Sequence, residues 1–328
     1  MNKGRQRLNR REFLKQATRA SVFALGVTGP RSLLAATQPN PSAAIQIGIL
    51  LGTFGTGTLE ARLDAVKACG LDCAQVSLAC TGLSDMPDAI PVEMSSRIRR
   101  EAAARGITIA SVQGTFNMSH PDPEHRRVGL RRLRVIAEAC PQLGTSKIHL
   151  CTGTRDRGSM WRRHPDNDSP EAWRDMAACV REATEIARQT RVVLAFEPEV
   201  NNVVDSAQKA RRLLDEIASP YLKVTIDPAN LFHAGELPRM GEILDEAFAL
   251  VGKDIVLAHA KDLDHDGDAG HLAAGQGKLD YDRYLSLLHR YRFQGALLLH
   301  GLSVAQVPGC VAFLRQKLAG LPSLPSGN

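Results

Sequence analysis

The chain has no pair of cysteines at two-residue spacing and no cysteine–histidine grouping of the zinc-ribbon kind. Its seven cysteines (69, 73, 80, 140, 151, 179 and 310) are odd in number and scattered through apolar stretches, which argues for buried free thiols instead of a disulfide framework. A phosphate-cradling turn is also missing. Gly52-Thr53-Phe54-Gly55-Thr56-Gly57 lacks both the Gly-x-Gly-x-x-Gly spacing and the lysine of a nucleotide loop, and reads as an ordinary strand-to-helix connection. No apolar run reaches the roughly 18–20 residues that a membrane span requires. Low-complexity sequence is confined to the Pro/Ser-rich edges at 37–43 and 320–328.

A basic excess is absent from most of the chain as well. The whole sequence carries +6, but residues 1–36 hold eight Lys/Arg and one Glu, so the remainder is about −1. That balance gives no footing to a nucleic-acid partner. The basic segment itself reads as an export signal. Asn9-Arg10-Arg11-Glu12-Phe13-Leu14-Lys15 is a twin-arginine signature in all but its first residue. A short, weakly apolar segment follows from Ala20 to Gly29, then Arg31, with Leu34-Ala35-Ala36 as the cleavage site. The segment is too short for a span and carries Gly and Pro, so it is read as a signal and not a stable membrane anchor. The expected location is periplasmic or otherwise exported through the twin-arginine pathway.

From Ala44 onward strand-like and helical patterns alternate. Strands are predicted near 45–51, 72–78, 107–113, 146–151, 192–197, 222–227, 254–260 and 295–300. Amphipathic helices are predicted at 58–69, 91–105, 124–140, 169–189, 205–217, 239–251, 280–291 and 303–319. The helix after Ser169 shows the signal well. Ser169-Pro170-Glu171 supplies an N-cap and a proline at the first helical position, and Ala172, Met176, Cys179, Val180 and Ala183 fall along one face. Asp205 is the expected cap of the fifth helix, and Asp280 or its neighbour that of the seventh. Eight such units without a polar linker predict a single-domain (β/α)8 TIM barrel over 44–320. The expected remainder is a signal peptide at 1–36, a linker at 37–43 and a disordered tail at 321–328.

Four of the apolar runs end in a polar residue: Phe196-Glu197, Ile226-Asp227, Ala258-His259 and Leu299-His300. Strand alternation puts Val193, Ala195 and Glu197 on one face, Thr225 and Asp227 on another, Ile255, Leu257, His259 and Lys261 on a third, and Leu298 and His300 on a fourth. In a closed parallel barrel these four ends converge at the C-terminal mouth. Two carboxylates and two imidazoles suit a divalent cation of intermediate hardness, such as Mn²⁺, Fe²⁺, Co²⁺ or Zn²⁺, whereas Ca²⁺ or Mg²⁺ would draw more oxygen ligands.

The motifs Phe196-Glu197-Pro198-Glu199, Thr225-Ile226-Asp227-Pro228-Ala229-Asn230, His259-Ala260-Lys261-Asp262 and Gly275-Gln276-Gly277-Lys278-Leu279-Asp280-Tyr281 occur in that order. Together they resemble the xylose-isomerase-like barrels, the sugar phosphate isomerase/epimerase superfamily that includes a branch of apurinic endonucleases. The resemblance spans the chain beyond the signal. It implies a metal set of Glu, Asp, His and Glu on strands five to eight. Glu197, Asp227 and His259 match the first three; His300 stands where the family has the second Glu, which serves in ketose epimerases as ligand and base. Asn230 likewise stands where many of these epimerases have His.

The expected function is a divalent-metal-dependent isomerase or epimerase of a sugar, keto-sugar or cyclitol, working by proton transfer through a metal-stabilised enediolate. Mn²⁺ is the first expectation, with Zn²⁺, Co²⁺, Fe²⁺ or Mg²⁺ as alternatives. Glu197, Lys261 and His300 are the catalytic candidates: a base, a cation facing the developing oxyanion, and a ligand or second base. Substrate-binding candidates are Asn230, Glu199, His149 on strand four and Trp161 in the long loop Thr152 to Asp168, which also holds Arg155, Arg157, Arg162, Arg163 and His164. Gln113 and His120, after strand three, are further candidates. Asp264-His265-Asp266-Gly267-Asp268 looks calcium-like but lacks the closing Glu of an EF-hand and is set aside. A lyase or dehydratase on the same scaffold is the alternative within enzymes, and a non-catalytic exported sugar-binding protein the alternative outside them. An apurinic endonuclease fits poorly with the charge. A small carbohydrate is the expected partner, and a homo-oligomer is left open.

Overall fold

The computed structural model describes residues 45–321. The signal expected over 1–36, the linker over 37–43 and all of the tail after its first residue lie outside the described residues. The strands are β1 (Gln46–Leu50), β2 (Cys73–Val76), β3 (Thr108–Gln113), β4 (Lys147–Cys151), β5 (Val193–Glu197), β6 (Leu222–Ile226), β7 (Ile255–Asp262), the short β8 (Leu272–Ala273) and β9 (Ala296–Leu299). The helices are α1 (Leu59–Ala68), α2 (Val92–Ala104), α3 (Pro123–Leu143), α4 (Pro170–Thr190), α5 (Ala207–Ile217), α6 (Met240–Val251), α7 (Tyr281–Arg290) and α8 (Val307–Ala319).

All strands but β8 pair in parallel, each with its neighbour in sequence, and β9 returns to pair with β1. The β6–β7 pairing completes the ring, so the fold is the closed (β/α)8 TIM barrel that the alternation predicts. The short β8 has no counterpart in the sequence reading. Leu272 and Ala273 run antiparallel to Asp262 and Lys261, folding the connection after β7 back over the barrel mouth.

Local chemistry sets the helix starts. Ser169 Oγ accepts from Ala172 N at 3.1 Å, with Pro170 at the first position of α4, and Asp280 Oδ1 accepts from Arg283 N at 2.9 Å to start α7. Asp205 does not cap α5. That role falls to Ser206, whose Oγ accepts from Lys209 N at 3.3 Å, because the Asp205 carboxylate is drawn to Lys209 Nζ at 2.8 Å. α3 also runs past Pro141, three residues beyond its expected end, and stops at Gly144, whose φ of +82° suits a residue without Cβ. A proline in the last turn removes only one late hydrogen bond.

Most of the core lies between the outer faces of the strands and the helices. A smaller plug of Cys73, Ala110, Ala195, Leu257, Ala296 and Leu298 fills the barrel interior. Gly48 is needed there: a Cβ would stand 2.4 Å from Cys73 Sγ and 2.8 Å from Leu298 Cδ2. Inward residues further along the strands, beyond this plug, line a cavity at the C-terminal end of the barrel. All seven cysteines are free, and all except the half-buried Cys69 are buried.

Candidate metal centre and its cavity

Strand parity brings the four strand-end residues together. Glu197 closes β5, Asp227 follows β6, His259 lies in β7 and His300 follows β9. Glu197, Asp227, His259 and Lys261 are buried, while His300, nearest the mouth, is half-buried. His259 Nδ1 lies 3.5 Å from Asp227 Oδ2 and 3.7 Å from Glu197 Oε1, and His300 Nδ1 lies 3.8 Å from Asp227 Oδ2. Lys261 Nζ stands 3.2 Å from the same Asp227 oxygen.

The three histidine separations, 3.5–3.8 Å, are too long for good hydrogen bonds. They are close to the spacing of ligand atoms that share one cation, since bonds of roughly 2.0–2.2 Å in a tetrahedral arrangement set the donors about 3.3–3.6 Å apart. Asp227 Oδ2, both ring nitrogens of His259 and His300 Nδ1 are buried and lack a hydrogen-bond partner. Orphaned buried polar atoms cost about 1–3 kcal/mol each, so a convergent set of them calls for a shared occupant. His149 adds to this set. Thr225 Oγ1 donates to Ala195 O at 3.3 Å, so at 3.1 Å it accepts from His149 Nδ1. The remaining ring nitrogen, Nε2, then turns a lone pair toward Glu197 Oε2 at 3.4 Å. Two acceptors facing one another need a proton or a cation between them. The donor atoms fall into two overlapping groups that could hold a divalent metal, His149–Glu197–His259 and Asp227–His259–His300, which share His259.

The electrostatics agree. Burial raises the Asp227 carboxyl, but the Lys261 ammonium and the imidazoles of His259 and His300 outweigh it and hold the group well below the usual range. Burial likewise opposes ionisation of Glu197, and His259 pulls it down nonetheless. Burial alone would lower His259, yet Glu197 and Asp227 raise it. Two carboxylates set against one ammonium leave a field that wants one more positive charge; a proton on His259 and a cation are alternative occupants of it. Burial pushes His149 down to about 3, which keeps it neutral.

A cavity of about 380 Å³ opens above the cluster. Glu197, His259, Lys261, His300, His149, Asn230, Glu199 and Trp161 all line it; Asp227 lies behind this wall. Asn230 Nδ2 donates to Glu197 Oε1 at 2.6 Å. Glu199 accepts from Asn201 N at 3.0 Å and from the Asn202 amide, and burial pushes its carboxyl up to about 7. Trp161 is half exposed at the rim.

Other candidates sit elsewhere. His120 stacks on His125 at the start of α3 and does not line the cavity. Three of the arginines of the loop after β4 turn to carboxylates, Arg155 to Asp175 at 2.9 Å, Arg162 to Asp156 at 3.4 Å and Arg163 to Asp168 at 2.9 Å. Lys261 pairs with Asp227 and not with Asp262 or Asp264. Asp262 instead accepts from Leu263, Gly275 and Leu279 backbone N–H groups and so shapes the Gly-x-Gly loop. Gln75 on β2 was not foreseen. Its Oε1 accepts from Ser111 Oγ at 2.9 Å, and its buried Nε2 has no partner in the cavity wall. Its parity with the inward Cys73 was the available signal. Gln113 lines the cavity beside it.

A sequence profile of the family described as "Xylose isomerase-like TIM barrel" matches residues 63–304. No curated protein matches by sequence. Among solved structures, the 3-keto-D-glucoside 4-epimerase from E. coli is similar, with a TM-score of 0.65 and 17% identity over 83% of this chain and 100% of that one. A D-tagatose 3-epimerase-like protein superposes with a TM-score of 0.68 at 14% identity, covering 84% of this chain and 97% of that one. An L-ribulose 3-epimerase gives 0.65 at 15% identity, covering 84% and 95%. At these identities the likeness is one of fold.

Proposed function

This chain belongs to the xylose isomerase-like TIM barrel family, and from that premise we propose that it is a divalent-metal-dependent isomerase or epimerase of a sugar, keto-sugar or cyclitol. The observation that carries the reading is the convergence of orphaned Asp227, His259 and His300 atoms beside Glu197 at the floor of a cavity in the barrel mouth. Mn²⁺ is the preferred ion, with Zn²⁺, Co²⁺, Fe²⁺ or Mg²⁺ as alternatives. Such an ion, when bound, supplies Lewis-acid polarisation of a carbonyl.

The side chains divide the remaining work. Glu197, ionised by its surroundings and steadied by Asn230, takes the proton from the carbon next to the carbonyl. Lys261 places a fixed positive charge where negative charge develops on oxygen. His300, the most exposed member of the cluster, serves either as a ligand through Nδ1 or as the second base. Glu199 and Asn230 bind hydroxyls, and Trp161 covers the apolar face of the ring. Among the described residues the cavity wall contains a lysine and no arginine. That lining, together with the proposed export through the twin-arginine pathway, favours a free or glycosidic sugar over a phosphorylated one.

The names of the three similar structures suggest the panel for a test: tagatose, ribulose and 3-keto-glucosides. Incubation of each with the protein and Mn²⁺, followed by NMR of the products, is expected to yield an isomer of unchanged mass. Release of water or an aglycone replaces this reading with a lyase, which His300 in place of a second carboxylate favours. Binding without turnover replaces it with a non-catalytic sugar-binding protein.

A further inference from the structure

A second group of metal-type side chains lies on the connection that leaves β7, outside the buried cluster and sharing no residue with it. Asp264 Oδ1 is 2.5 Å from His265 Nδ1 and 3.4 Å from His271 Nε2, and the two rings stand 4.9 Å apart between centroids. One donor atom from each residue falls within 4.8 Å of the other two. Sequence alone shows an acidic run from Asp264 to Asp268 that looks like an oxygen cage. The structure takes that cage apart. Asp266 accepts from Leu237 N at 2.7 Å and Asp268 from Asn201 Nδ2 at 2.6 Å, while His271 is brought in from the far end of the loop. What remains is one carboxylate and two imidazoles, a set that suits borderline cations and is poor in oxygen for Ca²⁺ or Mg²⁺.

We propose that Asp264, His265 and His271 form a second divalent-cation site at the barrel rim, taking Zn²⁺ in preference to Ca²⁺ or Mg²⁺, and that the ion staples the two ends of loop 264–271. The 3.4 Å pair already has the spacing of neighbouring zinc ligands, roughly 3.3–3.5 Å. The closer pair shares a hydrogen, which an entering ion displaces as the two groups move apart by about an ångström. The three side chains are exposed, so water completes the coordination. The staple has a structural consequence. Between its ligands, Gly267 N donates to Phe232 O at 2.9 Å, Gly270 N donates to Asn230 Oδ1 at 3.0 Å, and Asp268 and Ala269 line the cavity. Closing the loop ends fixes this part of the wall.

Zn²⁺ titration of the full chain by calorimetry tests the proposal. Asp227→Asn disables the buried cluster, and this variant is expected still to bind one Zn²⁺ per chain. Adding His265→Ala and His271→Ala is expected to weaken that binding at least ten-fold, whereas adding Asp266→Asn leaves it unchanged. In the otherwise unaltered chain the two histidine substitutions are expected to remove one equivalent of Zn²⁺, a comparison that holds even if Asp227→Asn fails to fold. Zn²⁺ binding that is insensitive to both histidines, in either background, overturns the proposal. Equal loss on Asp266→Asn overturns it too, because the acidic run would then be the ligand.

Discussion

Asn230 joins three parts of the barrel mouth through one amide: its Nδ2 donates to Glu197 Oε1 at 2.6 Å, and its Oδ1 accepts from Gly270 N at 3.0 Å. The carboxylate at the end of β5, the turn after β6 and the rim loop after β7 are thereby held in one geometry. Groups that orient a ligand in this way typically matter about 10–100-fold. Asn230→Ala is expected to lower kcat/KM by that order with little change in melting temperature. Asn230→Asp should be worse, because it sets a second carboxylate against Glu197. Steady-state kinetics beside thermal melts of both variants check this.

Mn²⁺ binding to the buried cluster should stabilise the fold by mass action. At a free concentration one hundred times Kd the gain is about 2.7 kcal/mol. Calorimetric melts are expected to show that gain in the unaltered chain and none in Asp227→Asn, whose carboxamide no longer balances His259 and Lys261.

Gln75 presents a different balance. Its buried Nε2 has no partner, at a cost of about 1–3 kcal/mol when no ligand is bound. Gln75→Leu removes that cost but leaves the buried Ser111 Oγ without its acceptor, so the free protein is expected to keep about the same stability while KM rises several-fold. Loss of stability without any change in KM would assign Gln75 to the core alone.

Asp254 anchors the opposite, N-terminal end of β7. Burial opposes its ionisation, but hydrogen bonds and charge from Lys223 at 2.6 Å and Arg211 at 2.9 Å hold its pKa below 3.8. A depressed carboxyl contributes stability above its unfolded value of about 3.9 and loses it as pH falls through the folded value. Asp254→Asn should therefore cost roughly 1–2 kcal/mol at pH 7. The difference from the unaltered chain should shrink as pH falls below about 4, in urea unfolding measured across that range.

Much of this site was legible because period-two alternation and barrel closure both act on backbone geometry. Once the strands ending in Glu197, Asp227, His259 and His300 are placed side by side in parallel, their inward ends must meet. What escaped depends on contacts that no local pattern encodes. Lys261 chose Asp227 over the adjacent Asp262 because the strand turns Lys261 into the barrel, while Asp262 is taken up by three backbone N–H groups. Asp205 lost its capping role to Ser206 because a lysine one turn on competes for the carboxylate. His271 approaches Asp264 only because β8 folds back along β7.

The central claim is that Glu197 moves a proton at a carbon beside a carbonyl, with a divalent ion in the cluster. Proton NMR of a turned-over keto-sugar in D₂O measures this directly. Deuterium is expected to enter at that carbon in the presence of Mn²⁺, and to do so at least about a hundred-fold more slowly with Glu197→Gln, in line with the weight of a general base. Isomerisation without deuterium entry, or entry at the same rate with Glu197→Gln, would contradict the account.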